Sequence, residues 1–366
     1  MNRPDYENSI LSVVSSVLNH YGVRDCPHPT QKKVDELLKR DPRNVVILLF
    51  DGMGLNLIEK HLPEDSFLRT HLMTTVSSVF PPTTVAATTS IQSGKAPIEH
   101  GWLGWTLYFK EVDDNVTVFF NTLEKTGKSA GKENLAKKLM PYKNVCQRIM
   151  EADPEVNASV VSMQDHSHTY SVGSTCRKIL RITSKPGKHY IYGYWINPDH
   201  LIHQYGIGGD KVHKNILKIN REVEKMSKKL KDTTMIVLAD HGLIDTQWIY
   251  LSEHPELNEL LVRRPSIESR AVSLFVKPGK QEEFARLFKK EFGDKFALLT
   301  RQEVLDQHLF GYGEENPRVK ECVGDFLAIA LDKYSFGYKP TEHPMIGIHA
   351  GATKEELTVP LIVIEK

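Results

Sequence analysis

The sequence predicts an α/β fold: a mostly parallel central sheet with helices on both faces, joined to a small α+β cap. Three observations carry that expectation. First, Val45 to Phe50 and Thr234 to Ala239 are short, largely apolar runs bounded by turn residues, and Tyr190 to Ile196 is a third. Strands covered on both faces read this way, and the runs are too short for buried helices. Second, Val212, Ile216, Ile219, Val223, Met226 and Leu230 recur at spacings of four and three, the stripe of a helix lying on a sheet. Third, the three strands lead into Asp51, Asp199 and Asp240. Ligands of open α/β sheets sit beyond the carboxyl ends of the strands, so parallel strands would bring these acids to one edge.

Taken in order, the chain begins with Ile10, Val13, Val14, Val17, Leu18 and Tyr21 on one helical face, closed by Gly22. A second short helix is expected from Thr30 to Arg40, with Val34, Leu37 and Leu38 inward. Residues 1–42 therefore read as a helical lead-in packed on the main domain, with a partner-binding arm as the alternative. Gly52 and Gly54 let the chain turn sharply after Asp51, and a helix follows around Leu55 to His61. Asp51 itself has two readings: a cap for that helix, or a group for chemistry.

From Thr74 the chain runs extended to Pro81 and Pro82, after which Thr83 or Thr84 opens a helix of small residues ending at Gly94. A hydroxyl there is commonly an N-cap. The same geometry offers first-turn N–H groups and the helix dipole to a phosphate. Trp102, Trp105 and Tyr108 are either core or the lining of a pocket for a planar group. Ala158 to Met163 reads as a strand, and Asp165-His-Ser-His168 as a solvated loop near the site rim rather than a metal site. Asp199 and His203 stand one helical turn apart, so both can face one metal ion, and His200 between them points elsewhere.

Beyond Gly242 the pattern changes. Arg270 to Val276 is a strand, Gln281 to Phe292 a helix, Phe296 to Leu299 extended, and Phe326 to Leu331 a strand. Residues 251–339 are thus expected to be a small α+β cap inserted into a catalytic core of residues 43–250 and 340–366. Val359 to Ile364 is expected to close the main sheet.

Composition excludes several classes of function. The 366 residues hold 47 basic and 46 acidic side chains, a net charge of +1. That gives no electrostatic case for nucleic acid or an anionic membrane, and no nucleic-acid-binding motif appears. The lysines at 225, 228, 229 and 231 are the wet face of their helix. Cys26, Cys146, Cys176 and Cys322 lie far apart with no C-x-x-C spacing, as reduced thiols of a cytosolic protein do. No run reaches membrane-spanning length, and the N-terminus lacks the basic start and apolar segment of a secretory signal. The expected location is cytoplasmic.

Histidines at 203, 241 and 349 accompany the three strand-end acids. Mixed Asp/His ligation suits zinc, with manganese second. The segments Phe-Asp51-Gly-Met-Gly, Pro81-Pro-Thr-Thr84 leading to Ser93-Gly94 and His100-Gly101, Pro198-Asp199 with His203, Ala239-Asp240-His241-Gly242, and Gly347-Ile-His349 occur in this order. In that set the sequence resembles the alkaline phosphatase superfamily, and within it the type I phosphodiesterase/nucleotide pyrophosphatase family, from about Asn44 to the C-terminus.

The resemblance implies an alkaline-phosphatase-like fold and hydrolysis of a small, nucleotide-like phosphate ester. It implies two divalent metal ions. Asp199, His203 and His349 would hold one, and Asp51, Asp240 and His241 the other, with Thr84 bridging toward the second as nucleophile. A covalent phosphothreonine intermediate follows from that role. Thr84 is preferred over Thr83 because its offset to Gly94 and His100 matches the family's motif. One position departs: relatives often carry Asn three residues after the nucleophile, to bind a phosphate oxygen, and here it is Ala87. Asn121 or a backbone N–H is the expected substitute. Sibling activities share the metal frame, namely phosphomonoesterase, phosphonate hydrolase and phosphomutase. A metal-binding module without catalysis is the reading from another class. A sulfatase is excluded, since no Cys/Ser-x-Pro-x-Arg motif is present.

Overall fold

The computed structural model describes residues 1–162 and 171–366. Its centre is a six-stranded sheet in the order Leu72–Ser77, Thr358–Glu365, Thr233–Leu238, Asn44–Phe50, Lys188–Trp195, Val156–Val161. Asn44–Phe50 is buried along its whole length, as its unbroken apolar run requires, and pairs in parallel with a strand on each side. The register positions the site. Phe50 lies opposite Trp195, and Leu49 opposite Leu238. Two more residues along that register bring Asp51 beside Asp240.

The C-terminal strand does not sit at the edge of the sheet. It runs antiparallel between Thr233–Leu238 and Leu72–Ser77, so the extended segment before Pro81 forms the edge and carries the chain directly to Thr84. Helices cover both faces, among them Asp210–Ser227, whose apolar stripe is buried, and Val172–Thr183. The lead-in helix Ile10–His20, capped by Ser9, buries its apolar residues in the main core and contacts the helix Thr84–Ser93. No helix among the described residues is long and apolar enough to cross a membrane.

A second, antiparallel sheet of seven strands follows the order Phe296–Thr300, Phe326–Ala330, Ala271–Leu274, Ser266–Ile267, Thr106–Phe109, Asp114–Thr117, Thr122–Leu123. The sheet thus crosses the boundary expected at residue 251: the segment 106–123 joins it through the single pair Ile267 and Thr106. One face of this sheet is covered by the helix Gln281–Phe292, whose Phe284, Phe288 and Phe292 form a separate apolar cluster.

Arg270, in the second sheet's part of the chain, is tied to the C-terminal segment by a buried ion pair. The Arg270 guanidinium meets Glu356 with both nitrogens, Nε to Oε1 at 2.7 Å and Nη2 to Oε2 at 2.8 Å, and both side chains are wholly inaccessible. Glu356 also accepts from the Gly351 N–H at 2.7 Å, two residues past His349, and Arg270 donates to the carbonyls of Asp332 and Tyr334. Removing one partner leaves the other charge buried and unpaired. Glu356→Ala should therefore lower unfolding stability by about 3–5 kcal/mol in denaturant titrations, whereas the double replacement Arg270→Met with Glu356→Leu should cost clearly less.

Candidate active site

The carboxyl edge of the main sheet gathers the acids. Asp51 follows its strand directly, and its backbone carbonyl accepts from the Asp199 N–H at 3.0 Å, so the start of the helix Asp199–Tyr205 is held against it. Gly52 adopts φ +68°, and a side chain there would meet Leu243 at 2.5 Å and Asp199 Cβ at 2.9 Å. The close approach of the two acids therefore requires glycine. Asp240 is fully buried, and its Oδ1 accepts from the N–H groups of Gly52 at 2.9 Å and His241 at 3.0 Å.

Each imidazole is oriented by a backbone carbonyl. Nδ1 of His203 lies 2.7 Å from Gly347 O, that of His241 3.1 Å from Gly242 O, and that of His349 3.2 Å from Pro82 O. An Nδ1–H donated to each carbonyl leaves the Nε2 lone pair facing inward, as metal-binding imidazoles require. Inward they meet the acids: His203 Nε2 is 3.2 Å from Asp199 Oδ2, His349 Nε2 is 3.8 Å from Asp199 Oδ1, and His241 Nε2 is 3.4 Å from Asp51 Oδ1.

Two sets of donors result. Asp51, Asp240 and His241 offer ligand atoms all within 4.8 Å of one another, and so do Asp199, His241 and His349. The first set is the one expected for the second metal. In the other set His241 stands where His203 was expected. His203 instead faces the remaining oxygen of Asp199, and its ring centroid is 5.5 Å from that of His349, against 3.9 Å between His241 and His349.

The electrostatics fit a cation. Asp199 Oδ1 and Asp240 Oδ2 are buried with no hydrogen-bond partner among the described residues, a costly condition for carboxylate oxygens. Burial first, and then the charges of Asp240 and Asp199, hold the Asp51 carboxyl well above its ordinary range. Burial raises Asp240 too. At Asp199 burial also pushes upward, but His203, His349 and His241 outweigh it and the carboxyl is lowered. Burial opposes protonation of His203, yet Asp199 raises it to about 9. Burial, then the neighbouring His241, depresses His349. Such opposed shifts in one cluster mark a site built for charge.

Thr84 is the first residue of the helix Thr84–Ser93, and neither it nor Thr83 caps that helix with its side chain. Its hydroxyl donates to Asp51 Oδ1 at 3.3 Å and lies 3.2 Å from His241 Nε2, among the inward-facing donors. The Thr83 hydroxyl turns away to Glu268 Oε1 at 2.5 Å. Ala87 is wholly buried and offers only a methyl group.

The remaining expected residues are dispersed. Asn121 donates to the carbonyls of Gly131 and Glu133 at 3.1 and 3.0 Å, and its Oδ1 accepts from the Leu135 N–H. Its amide is consumed by its own loop, so it does not replace the missing Asn. Trp102 is core, with Nε1 donating to Met140 O at 2.9 Å. The Tyr108 hydroxyl donates to Asp113 at 2.9 Å, and the Arg263 guanidinium covers its ring. Trp105 alone of the three is tied to the site, its N–H donating to Glu268 Oε1 at 2.8 Å. Asp165 to His168 lie outside the described residues.

Two site groups lie outside the residues expected from the sequence. Tyr194 donates its hydroxyl to Asp51 Oδ2, and its alternation within the strand could have flagged it. Glu268, from the insertion, reaches Thr83; burial first pushes its carboxyl up to about 7, against the hydrogen bonds from Thr83 and Trp105. Nothing in Arg263-Arg-Pro-Ser-Ile-Glu-Ser269 announces it.

The family model "Type I phosphodiesterase / nucleotide pyrophosphatase" matches residues 45–353. No curated protein matches. Among solved structures, murine ectonucleotide pyrophosphatase/phosphodiesterase 5, as an inactive threonine-to-alanine form with AMP, superposes with a TM-score of 0.64 at 15% identity over 87% of each chain. The human protein of the same name gives 0.65 at 14% identity over 87% of each chain. Phosphonoacetate hydrolase from Sinorhizobium meliloti 1021, with phosphonoformate, gives 0.62 at 16% identity over 88% of this chain and 90% of the other. With that family model spanning most of its length, the chain belongs to the type I phosphodiesterase/nucleotide pyrophosphatase family and is an enzyme of the phosphoric ester hydrolase class.

Proposed function

We propose that the protein hydrolyses phosphodiesters through a phosphothreonine formed on Thr84. The observation that carries this reading is the Thr84 hydroxyl, turned from its helix toward Asp51 and His241 in the middle of the inward-facing donors. The inactive threonine-to-alanine form of the murine relative supports it. Two divalent cations, zinc first and manganese second, bound by Asp51, Asp240 and His241 and by Asp199, His203 and His349, would lower the pKa of the threonine hydroxyl and offset charge on the phosphoryl oxygens.

The chain's own residues do the positioning, which is most of what phosphoryl transfer asks of a protein. Asp51 Oδ1 accepts the Thr84 hydroxyl hydrogen bond and aims the oxygen outward. The helix N-terminus beneath Thr84 presents first-turn N–H groups to the phosphate oxygens. These amides take over the task of the Asn absent at position 87. Thr84 Oγ gives its proton to solvent and bonds to phosphorus as the bond to the first alcohol breaks, and that alcohol leaves with a proton from solvent. Water then displaces Thr84 and completes a phosphomonoester.

A diester and a monoester of the same chromogenic alcohol separate this reading from its siblings. Turnover of the diester should exceed that of the monoester, vanish on chelation and return with zinc. A faster monoester, or turnover indifferent to chelation, would overturn it. Ala87 and the structural likeness to a phosphonate hydrolase favour cleavage of a P–C bond as the second reading, tested by phosphate release from phosphonoacetate.

A further inference from the structure

Thr84 is delivered by the turn Phe80-Pro-Pro-Thr83, in which Pro81 and Pro82 carry no N–H. The Phe80 N–H is the last backbone donor before them, and it is given to the Tyr6 hydroxyl at 3.3 Å. The same hydroxyl donates to Leu309 O at 2.9 Å, and the rings of Phe80 and Phe310 stack with centroids 6.2 Å apart. One phenol thus serves as acceptor and donor at once, which phenylalanine cannot do.

The fold makes room for this ring. Tyr6 is 7% exposed and opens the short turn Tyr6–Asn8, capped by Asp5. Gly311 adopts φ +88°, and a side chain there would meet Tyr6 Cε1 at 2.9 Å and Cζ at 3.0 Å. Glycine is therefore required against the phenol. Burial pushes the Tyr6 hydroxyl above its ordinary range, so it stays protonated and keeps both bonds at working pH.

The turn held by Tyr6 serves two site residues. It opens the helix at Thr84, whose hydroxyl lies between Asp51 and His241. It also supplies Pro82 O, the carbonyl 3.2 Å from Nδ1 of His349. The same arm holds the chain just past His349: Asn2 gives its N–H and its amide Nδ2–H to Ala352 O, at 3.1 and 2.9 Å. Asn8 and Ser9 meet the edge strand that leads into the turn, Asn8 Nδ2 at Thr75 O and Ser9 paired with Ser77. Residues 2–9 thus clasp both segments that bring Thr84 and His349 to the site.

We propose that Tyr6 is a positioning residue of the reaction: its hydroxyl fixes the turn that aims Thr84 and, through Pro82 O, the imidazole of His349. Tyr6 lies outside residues 45–353, the span matched by the family model, so the family does not assign it. The inference rests on the phosphodiesterase reading above and adds a residue to that site.

The test compares Tyr6→Phe with Tyr21→Phe in the full-length protein. Tyr21 is also a buried tyrosine of the lead-in, 6% exposed, but its hydroxyl meets His189 O near the start of the strand Lys188–Trp195, away from the site. Phosphodiester turnover, thermal unfolding and zinc retention against a competing chelator are measured on each, well below the lower unfolding midpoint. Tyr6→Phe should lose ~10-fold in kcat with KM within ~2-fold, because a misplaced nucleophile weakens the transition state and not ground-state binding. It should also release zinc at ~10-fold lower chelator concentration, since the carbonyl that orients His349 is no longer held. Tyr21→Phe should lower the unfolding midpoint alone, as a purely structural hydroxyl does. Placing 4-aminophenylalanine at position 6, which keeps a donor and an acceptor, should restore most of kcat and zinc retention. Tyr6→Phe matching Tyr21→Phe in kcat and zinc retention would overturn the inference and leave the phosphodiesterase reading intact. An unaltered protein that cleaves no diester would overturn both.

Discussion

Thr84→Ala should abolish phosphodiester turnover, by a factor on the order of 10⁴ or more, and leave bound metal and folding nearly unchanged. The size of the loss follows from the role: among the described residues no other hydroxyl occupies the position between Asp51 Oδ1 and His241 Nε2 that Thr84 holds. The small structural effect follows from what the side chain does not do. It caps no helix, so removing it forfeits none of the ~1 kcal/mol that an N-cap contributes. The neighbouring Thr83–Glu268 bond stays in place. Thr84→Ser keeps the hydroxyl and should recover a measurable part of the rate. Elemental analysis, thermal unfolding and turnover on one preparation decide the matter. Alanine at 84 with more than ~1% of the original turnover would remove the nucleophile from the mechanism.

The parts of this site that were legible in the sequence are those that local pattern encodes. The apolar runs ending in Asp51 and Asp240 could only be strands buried on both faces, and parallel pairing then aligned their ends. The interval between Asp199 and His203 is a helical turn, and the two meet at 3.2 Å. His349 stands beside the acids in the sequence pattern but takes its place in a ligand set only from the resemblance of Gly347-Ile-His349, because nothing in its local pattern says that its ring will stack on that of His241. Long-range packing decided the rest. The amide of Asn121 was claimed by carbonyls 10 and 12 residues away. Trp102 went to the core while Trp105, three residues on, stayed at the surface. Glu268 depends on an isoleucine in a left-handed conformation, which no propensity predicts. The C-terminal strand looked like a closing edge because its direction, set by the chain returning from His349, leaves no mark on an apolar run.

Asp240→Asn should reverse sign between the metal-free and metal-loaded protein. Without metal, Asp51, Asp199 and Asp240 crowd their carboxyls in a buried site, and burial with mutual repulsion holds Asp51 and Asp240 above their ordinary range. A carboxyl raised on folding favours the native state while protonated and loses that advantage as pH rises through its folded pKa. The metal-free protein should therefore weaken from mildly acidic toward alkaline pH. Asparagine removes one charge from the cluster and retains Oδ1 for the N–H groups of Gly52 and His241. Two charges ~4 Å apart at an effective dielectric near 20 repel by about 4 kcal/mol, and protonation relieves part of this, so a net gain of about 1–3 kcal/mol is expected above neutral pH. The gain should shrink in acid. With zinc present the order inverts, because ligand binding stabilises the native state by RT ln(1 + [L]/Kd), and the variant has lost an oxygen of the Asp51, Asp240 and His241 set. Thermal unfolding with and without zinc, at two pH values, reads both effects. If the variant gained as much from zinc as the unaltered protein, Asp240 would not be a ligand. If it were less stable without metal, the buried carboxyls would not be in conflict, and the case for a cation among them would lose its electrostatic ground.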